Sequence, residues 1–510
     1  MSDARAILQH IAVRAMIDYG LEPELPPQAV EESRRLRDAP VDGLRDLRNL
    51  PWSSIDNEES KDLDQLEVTV EGGDGVRLLI AVADVDALVA KGSALDDHAR
   101  LNTTSVYTTA KVFPMLPETL STDKTSLVQG SDRAAIVMQM DVDADGTVRA
   151  GDVYPALVRN GAKLAYESVS AWLEGQGPAP GALASDQTLA GQVRQQDAVA
   201  QALRRQRQSN GALEFDRGEI KPLMTGDEIS DIKTVRGGRA RDLIEEFMVA
   251  ANGTTARFLE SRNVPSLRRV VRSPERWPRI VALAATLGTK LPDVPDAKAL
   301  EAFLVAERKR SPDTFDELSL SVIKLLGRGE YAVTGTVPRT ESLTGSDPGI
   351  STSTGTGDRP KLDSNFQDGG HFALAVSSYT HSTAPNRRFP DLIVQRLIKA
   401  TTAGRAPTYS VDDLAALAAH CTKQEDAANK VERLVQKAAA ALWLSTKIGQ
   451  EFDSVVTGAS PKGTWVRIKQ PFVEGKLEQG FQGLDVGDRV RVRLISTNPE
   501  RGFIDFARIS

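Results

Sequence analysis

Residues 54–67 read S-I-D-N-E-E-S-K-D-L-D-Q-L-E. Six of these side chains are carboxylates, at Asp56, Glu58, Glu59, Asp62, Asp64 and Glu67. Carboxylates this close together repel one another in water, so a fold that gathers them usually needs a hard cation such as magnesium or manganese to neutralise the cluster. The first hypothesis for this stretch is therefore a metal site.

Three interpretations of this stretch compete, and the simplest is a solvated acidic loop. The second is a calcium loop, because the ligand positions of a twelve-residue EF-hand are matched by Asp56, Glu58, Ser60, Asp62, Asp64 and Glu67. Lys61 argues against it, since the EF-hand loop needs glycine at that position, and the flanking residues indicate a turn and a strand rather than two helices. The third is a magnesium-dependent nuclease site, which requires support from elsewhere in the chain.

A second stretch, residues 378–396, supplies that support. It reads S-Y-T-H-S-T-A-P-N-R-R-F-P-D-L-I-V-Q-R, and with it the chain resembles the ribonuclease II (RNB) family of 3′-to-5′ exoribonucleases. The family pattern Y-T-H-x-T-S-P-x-R-R-Y-x-D-L is matched with few changes, and T-I-D followed by D-x-D-D is matched in the acidic stretch. Further motifs match, in order, within residues 105–117, 211–215 and 243–252.

The resemblance implies metal-dependent hydrolysis of single-stranded RNA from its 3′ end, with release of nucleoside 5′-monophosphates. Asp56, Asp62 and Asp64 would hold Mg²⁺, with Mn²⁺ as an alternative. Asp64 would be the catalytic residue whose loss stops cleavage and spares binding. Arg387 would hold the scissile phosphate through its planar bidentate guanidinium, which a lysine could not copy.

The resemblance also assigns aromatic residues to the RNA. Stacking on an aromatic ring holds any base, because every base has a π face. Tyr107 and Phe215 would sandwich the terminal bases, and Tyr166 would stack further up the strand. Only 26 of the 510 residues are Phe, Trp or Tyr, so three aromatic residues at the matching positions favour the RNA-binding interpretation over ordinary core residues.

Four polar residues complete the implied RNA contacts. Glu245 or Glu246 would bond the ribose 2′ hydroxyl and so distinguish RNA from DNA. Glu432 matches another family glutamate near the RNA. Arg388 would contact the strand beside the catalytic arginine, although two adjacent arginines also occur as an ordinary surface basic pair.

Gln65 departs from the family pattern, which usually has a fourth aspartate there. A neutral amide offers a metal one weakly donating oxygen, and the substitution removes a unit of negative charge. Glu67 is on the same strand face two residues on and is a candidate to replace it. The alternative function is therefore a catalytically impaired relative that binds RNA or acts as a scaffold.

The composition limits the class of protein. The chain has 510 residues, a net charge of −7 and a single cysteine, Cys421. No run of eighteen apolar residues occurs, so no membrane span is expected, and the lone cysteine favours the reducing cytoplasm. An acidic enzyme can still bind RNA, because the local field steers the ligand. No P-loop or dinucleotide fingerprint occurs, so a nucleotide cofactor is not expected.

The pattern of strands and helices predicts an α+β fold. Residues 1–48 are expected to form two helices, docked on the core or acting as a reduced RNA clamp, where better-known family members carry two cold-shock barrels. Residues 49–448 would form the RNB catalytic domain, a mixed sheet with helices, including a mobile inserted loop at residues 342–370. Residues 449–510 show five short strands and would form a small all-β OB barrel of the S1 type.

The predicted barrel also has candidate RNA-binding groups. Arg489, Arg491 and Arg493 alternate with apolar residues along one strand, and Trp465 and Phe472 are available for stacking. A solvated strand face is the simpler explanation for the arginines. The neighbouring catalytic domain favours RNA binding.

Overall fold

The structure is a computed structural model and describes residues 3–72, 75–215, 219–235, 237–333, 370–460, 463–468 and 471–509. The loop predicted at residues 342–370 lies, apart from Gly370, outside these described residues. The helices are α1 (Ala4–Asp18), α2 (Pro27–Arg35), α3 (Ala94–Asn102), α4 (Tyr166–Leu173), α5 (Gly181–Ser185), α6 (Gln187–Ser209), α7 (Arg239–Glu260), α8 (Trp277–Thr286), α9 (Ala297–Arg310), α10 (Phe315–Leu326), α11 (Phe389–Thr402) and α12 (Val411–Ser445). The strands are β1 (Arg45–Asp46), β2 (Ser53–Asp56), β3 (Gln65–Gly72), β4 (Gly75–Ala83), β5 (Val106–Tyr107), β6 (Val112–Phe113), β7 (Asp132–Val142), β8 (Val148–Arg159), β9 (Ala162–Ala165), β10 (Glu219–Thr225), β11 (Glu228–Val235), β12 (Leu267–Val270), β13 (Glu330–Val333), β14 (Glu451–Ser460), β15 (Gly463–Ile468), β16 (Glu474–Gln479), β17 (Arg489–Asn498) and β18 (Phe503–Arg508).

A seven-stranded mixed sheet in the order β1-β8-β7-β4-β3-β2-β9 forms the centre of the catalytic region. Antiparallel ladders join β3, β4, β7 and β8, whereas β2 runs parallel to β9. Consecutive residues of β4, such as Ile80, Ala81 and Val82, are all fully buried. Because successive side chains point to opposite faces of a strand, both faces of this sheet are covered.

The sheet brings the two ends of the acidic stretch together. The strand β2 ends at Asp56, the antiparallel strand β3 begins at Gln65, and Ser53 pairs with Glu67 across the two strands. The intervening residues therefore leave and re-enter the sheet at the same end. This connection fixes the backbone that carries the predicted metal-binding aspartates.

The long helix α12 connects the separate parts of the chain. It starts with a capping box, in which Ser410 Oγ accepts from Asp413 N and Asp413 Oδ2 accepts from Ser410 N, both at 3.1 Å. One of the two predicted N-terminal helices, α1, packs on its middle through Leu8, Ile11 and their neighbours. The C-terminal end of α12 packs into the core of the C-terminal barrel through Leu444.

A helical unit made of α8, α9 and α10 has its own core, which includes Trp277, Leu300 and Phe315. The short strands β12 and β13 pair beside it. The sequence patterns did not predict this unit, and they also missed the 23-residue helix α6. The helix α6 packs against β3 and α7 and also contacts α9 of the helical unit.

The last strands form a closed barrel in the order β14-β15-β16-β18-β17. Along β17, Val490, Val492 and Leu494 are buried while the arginines between them are exposed. The α+β fold with a mixed sheet, helices and a terminal all-β barrel is therefore confirmed. Among the described residues, the search for a helix long and apolar enough to cross a membrane found none.

Candidate active site

Asp64 is buried where the acidic stretch (residues 54–67) meets the arginine motif (residues 378–396). Its side chain lies just before β3 and is 4% exposed. Asn386 Nδ2 donates to its Oδ1 at 2.9 Å, and Arg387 Nε donates to its Oδ2 at 3.1 Å. Burial raises the pKa of Asp64 to about 6, with repulsion from Asp62 adding to the effect and Arg387 and Asn386 opposing it. Asp64 is thus a buried carboxylate that changes charge close to neutral pH.

The backbone of the arginine motif holds Arg387 in place. Its carbonyl oxygen accepts from Ser105 N at 3.0 Å and from Thr104 Oγ1 at 3.1 Å. The side chain is 45% exposed, and among the described residues only its Nε makes a hydrogen bond, to Asp64. Its two terminal nitrogens are therefore available for an anion.

Asn386 is a site residue that the sequence analysis did not identify. It is buried, and its Oδ1 accepts from Thr125 Oγ1 at 2.6 Å while its Nδ2 donates to Asp64. This arrangement fixes which way the amide faces, because only the nitrogen can donate. The sequence did carry a signal for this role, because Asn386 lies within residues 378–396 and directly precedes Arg387.

The other two aspartates lie in the same electrostatic environment. Asp56 accepts from Asn57 N at 2.6 Å and from Ser60 Oγ at 3.1 Å. Burial raises the pKa of Asp56, and the charge of Asp62 raises it further. Asp62 is half-buried, and its side chain makes no hydrogen bond to a described residue. Asp62 therefore acts electrostatically on both Asp56 and Asp64.

Glu67 and Gln65 lie on the same face of β3. Glu67 is fully buried, and neither carboxylate oxygen has a hydrogen-bond partner among the described residues. Burial raises its pKa well above the ordinary value, and repulsion from Asp56 adds to this. Gln65 is 9% exposed and neutral. Because Glu67 pairs with Ser53 and Asp56 follows three residues later on β2, Glu67 and Asp56 project from opposite faces of the sheet. The replacement of the family's usual aspartate by Glu67 stays a prediction.

Only oxygen donors are available at this site, and they suit a hard cation such as Mg²⁺ or Mn²⁺. Asp56, Asp62 and Asp64 are the residues that could hold it. In the described part of the chain, no three His, Cys, Asp or Glu side chains already stand in a metal-binding arrangement. The mutual repulsion of these carboxylates is the observation that fits an additional positive charge.

Two of the predicted stacking residues flank the acidic residues. Tyr107 is 43% exposed, its backbone N donates to Glu432 Oε1 at 2.8 Å, and Asp62 and Asp64 both influence its pKa, which burial raises. Tyr166 begins α4, with the Arg241 guanidinium 4.5 Å from its ring centroid. Asp56 and Glu67 act on its pKa, which burial also raises.

Phe215, the third predicted stacking residue, is half-buried and packs against the core of the α8–α10 unit. Its sandwich with Tyr107 stays a prediction.

The polar residues assigned to RNA have different surroundings. Glu246 is buried and forms a two-bond pair with Arg207, at 2.8 Å and 2.5 Å. Its neighbour Glu245 is exposed and has no recorded partner among the described residues. Glu245 is therefore the one available to a ligand. Arg388 donates to Asp391 Oδ1 at 2.7 Å and to Thr383 Oγ1 at 3.3 Å, so it orders its own loop, and its contact with RNA stays a prediction.

A groove of about 1090 Å³ lies between the α8–α10 unit, α12 and the barrel. Its lining is rich in cationic side chains, and the half-buried ring of Phe472 also lines it. Some of these cations are paired, as Lys324 is with Glu474 at 3.8 Å. Four cations make no ion pair to any residue that the structure describes: Arg276, Arg433, Lys437 and Arg467. Arg433 directly follows Glu432 on α12, so the groove and Tyr107 lie against the same part of this helix.

Comparison with known proteins agrees with this geometry. Residues 44–404 match the RNB domain, and residues 450–509 match the RNase II-type exonuclease C-terminal S1 domain. The chain belongs to the RNB family. Within this family, its acidic stretch and its arginine motif both fall inside the matched RNB domain.

Similar curated proteins include two named ribonuclease R. The protein of Escherichia coli K12 is 28% identical over 538 residues, covering 96% of this chain and 61% of the relative. That of Thermotoga maritima is 28% identical over 530 residues, covering 95% of this chain and 68% of the relative. The chain thus spans about three fifths of the E. coli protein.

Solved structures share the fold. Mycoplasma genitalium RNase R in complex with ribose methylated single-stranded RNA has a TM-score of 0.85 at 20% identity, covering 100% of this chain and 78% of that chain. Yeast Ssd1, described as a pseudonuclease, has a TM-score of 0.65 at 17% identity, covering 87% of this chain and 52% of that chain. The fold therefore accompanies both a nuclease and a protein described as a pseudonuclease.

Proposed function

We propose that this protein is a metal-dependent exoribonuclease that shortens single-stranded RNA from its 3′ end and releases nucleoside 5′-monophosphates. The observation that carries the proposal is the direct bonding of Asp64 to Asn386 and Arg387, which joins the acidic stretch to the arginine motif. We further propose the cytoplasm as its location and RNA decay and processing as its role. The ribonuclease R relatives and the matched RNB domain support the same reaction.

The residues have separate tasks in this reaction. Asp56, Asp62 and Asp64 would hold Mg²⁺ or Mn²⁺, which supplies a nucleophilic water and neutralises charge at the leaving oxygen. Arg387 is oriented by Asp64 through Nε, so its terminal nitrogens can bind two phosphate oxygens as charge develops. Asn386 keeps Oδ1 of Asp64 occupied by a donor and so limits how that carboxylate can rotate.

The surroundings of the acidic site support an RNA substrate. The exposed carboxylate of Glu245 can accept a hydrogen bond from a ribose 2′ hydroxyl, a group that DNA lacks. The groove with its unpaired cations can hold the phosphates of the strand upstream of the reacting end, while Phe472 offers a ring for stacking. In contrast, Arg491 and Arg493 on the outer face of the barrel both pair with Glu451.

The second candidate function is an RNA-binding protein that does not cut. Gln65 favours it because the site has one carboxylate fewer at that position, and the likeness to the yeast pseudonuclease shows that this fold also accompanies such proteins. Both candidates require RNA binding. They differ in whether the phosphodiester is hydrolysed.

Decay of a 5′-labelled single-stranded RNA with Mg²⁺ or Mn²⁺ separates the two candidates. The exoribonuclease produces a ladder of 3′-shortened products or a short end product, and Asp64→Asn stops cleavage while RNA still binds. The variant Gln65→Asp, which restores the aspartate that is usual in the family, is compared with the wild type under the same conditions. If only Gln65→Asp cuts, or if nothing cuts while RNA still binds, the protein is an RNA binder built on an inactive nuclease site.

A further inference from the structure

A second arginine lies beside the acidic stretch. The strand β9 runs parallel to β2 with Ala165 opposite Asp56, so the next residues, Tyr166 and Asn57, follow at the same end of the sheet. The helix α7 packs against α4 here, and the Arg241 guanidinium lies 4.5 Å from the centroid of the Tyr166 ring. Its Nη2 donates to Asn57 Oδ1 at 3.0 Å. Arg241 therefore contacts both the predicted stacking residue and the residue that directly follows Asp56.

Most of the hydrogen-bonding capacity of Arg241 is left for a ligand. Its side chain is 37% exposed, and its Nε and Nη1 make no hydrogen bond to a described residue. The nearest carboxylate is Glu167, which lies 3.5 Å from Nη2 and is 70% exposed. An ion pair this long and this exposed contributes little. The contacts that hold the guanidinium in place therefore do not satisfy it.

The stability of α7 gives no separate reason for a cation at this position. Arg241 lies in the first turn of the helix, where the helix dipole disfavours positive charge. An RNA strand that ends among the carboxylates, by contrast, brings a row of negative phosphates past this point. A nucleotide that reaches the Tyr166 ring also reaches the guanidinium beside it.

We propose that Arg241 binds the backbone phosphate of the RNA nucleotide that reaches Tyr166. Tyr166 and Asn57 hold the guanidinium, and the edge that carries Nε and Nη1 receives the phosphate oxygens. This contact is separate from the one assigned to Arg387, which concerns the reacting phosphate. The inference rests on RNA binding in the proposed function and adds a phosphate contact upstream of the reaction.

A set of RNAs with one neutral linkage each tests this contact. A methylphosphonate replaces a charged phosphate oxygen by a methyl group, and each RNA carries it at a different linkage near the 3′ end. The full-length Asp64→Asn protein, which should bind RNA without cutting it, serves as the parent, and fluorescence anisotropy gives the affinities. The parent should lose about tenfold in affinity at the linkage bound by Arg241, the usual effect of removing a charged hydrogen bond.

Adding Arg241→Gln should weaken binding of unmodified RNA by about the same factor. The methylphosphonate at that one linkage should then cost nothing further, whereas the linkage bound by Arg387 should keep its loss. An effect of Arg241 on folding alone would weaken binding of every RNA equally. The matched control is Arg194→Gln, because Arg194 lies 4.8 Å from the Trp172 ring of the same helix α4. It should leave all the affinities unchanged.

Arg241→Lys keeps the test valid if Arg241→Gln fails to fold, which its thermal unfolding curve would reveal. Lysine retains the charge without the planar fork, so the loss at the same linkage should fall below about threefold.

The inference is overturned by an unchanged pattern of losses in the Arg241 variants, by an equal effect of Arg194→Gln, or by the absence of RNA binding in the parent. The proposed function fails separately. If the losses follow the expected pattern and the wild type never cuts RNA, the exoribonuclease proposal is lost while the role of Arg241 stands.

Discussion

Arg387 Nε lies 3.1 Å from Asp64 Oδ2, although 323 positions separate the two residues in the sequence. The contact holds the guanidinium through Nε, while its two terminal nitrogens make no hydrogen bond to a described residue. It also places a positive charge beside a buried carboxylate that would otherwise be harder to ionise. The position of the Arg387 guanidinium and the ionisation of Asp64 therefore depend on each other.

Arg387→Lys should reduce RNA cleavage by about 10²-fold, the usual cost of removing one preorganised donor to the transition state. Lysine keeps the positive charge, but it cannot bond Asp64 and two phosphate oxygens at once. The measurement is single-turnover decay of labelled RNA, with Arg489→Lys on the exposed barrel strand as the control. Cleavage at the wild-type rate would contradict the assigned role of the guanidinium.

The pKa of Asp64 predicts an acidic limb in the pH dependence of cleavage. Asp64 must be ionised to hold a metal, and its pKa in the metal-free site is about 6. At a fixed metal concentration well below saturation, the rate should therefore fall about tenfold per pH unit below that value. Asn386→Asp places a second carboxylate next to Asp64 in place of a donor. This change should move the limb to higher pH, because repulsion favours the protonated form.

The Asn386→Asp variant should therefore lose most of its activity at pH 6 and recover it at pH 9. Asn386→Ser, which adds no charge, provides the control and should shift the limb much less. An acidic limb at the same pH in the wild type and in Asn386→Asp would show that Asp64 does not control the rate.

The sequence predicted the parts of the fold that rest on local patterns. Apolar residues recur at three and four over residues 411–446 and predict a long helix, which the structure has at Val411–Ser445 with Ser410 as its cap. The barrel strands alternate along their length, so they were also identified. The α8–α10 unit was missed, since its helices are stabilised by packing on one another.

The site was predictable only as far as its motifs. Asp64 and Arg387 were named from the resemblance, whereas the role of Asn386 depends on a contact between residues 322 positions apart. The choice between Glu245 and Glu246 needed the structure, because the pairing of Glu246 with Arg207 is a contact between two helices. The groove could not be predicted from the sequence for the same reason, since its unpaired cations come from three separate segments.

The groove should bind the phosphates of long RNA. The double variant Arg433→Gln with Lys437→Gln removes two groove-lining cations that lie on one face of α12 and form no ion pair with a described residue. It should weaken binding of a long single strand and lower the slope of log affinity against log salt by about 0.7 for each lost contact. Binding of a short oligonucleotide that fills only the acidic site should not change.

Fluorescence anisotropy over a range of salt concentrations measures both quantities for this comparison. The control is Lys290→Gln with Lys298→Gln, which removes two exposed cations outside the groove. If both double variants weaken binding equally, the effect is general charge, and the groove has no specific role. Equal weakening for long and short RNA would place the contacts elsewhere.

The unpartnered carboxylate of Glu67 also predicts how stability depends on pH without metal. Its pKa in the folded protein is well above the ordinary value of 4.5, so the folded state keeps a proton that the unfolded state releases. Between 4.5 and the folded pKa, the free energy of unfolding should therefore fall as pH rises, by about 1.4 kcal/mol per pH unit for this one group.

Glu67→Gln lacks this titration, so its advantage in stability over the wild type should be absent at pH 4 and should grow as pH rises. Urea unfolding in EDTA at several pH values measures the difference. Glu58→Gln should follow the wild type at every pH, because that carboxylate is exposed in both states. If the free energies of unfolding of Glu67→Gln and the wild type change in parallel from pH 4 to pH 8, the carboxylate of Glu67 has a hydrogen-bond or ion-pair partner in solution, and its pKa is not raised. A difference that disappears when Mn²⁺ replaces EDTA would show instead that a cation satisfies the buried charge.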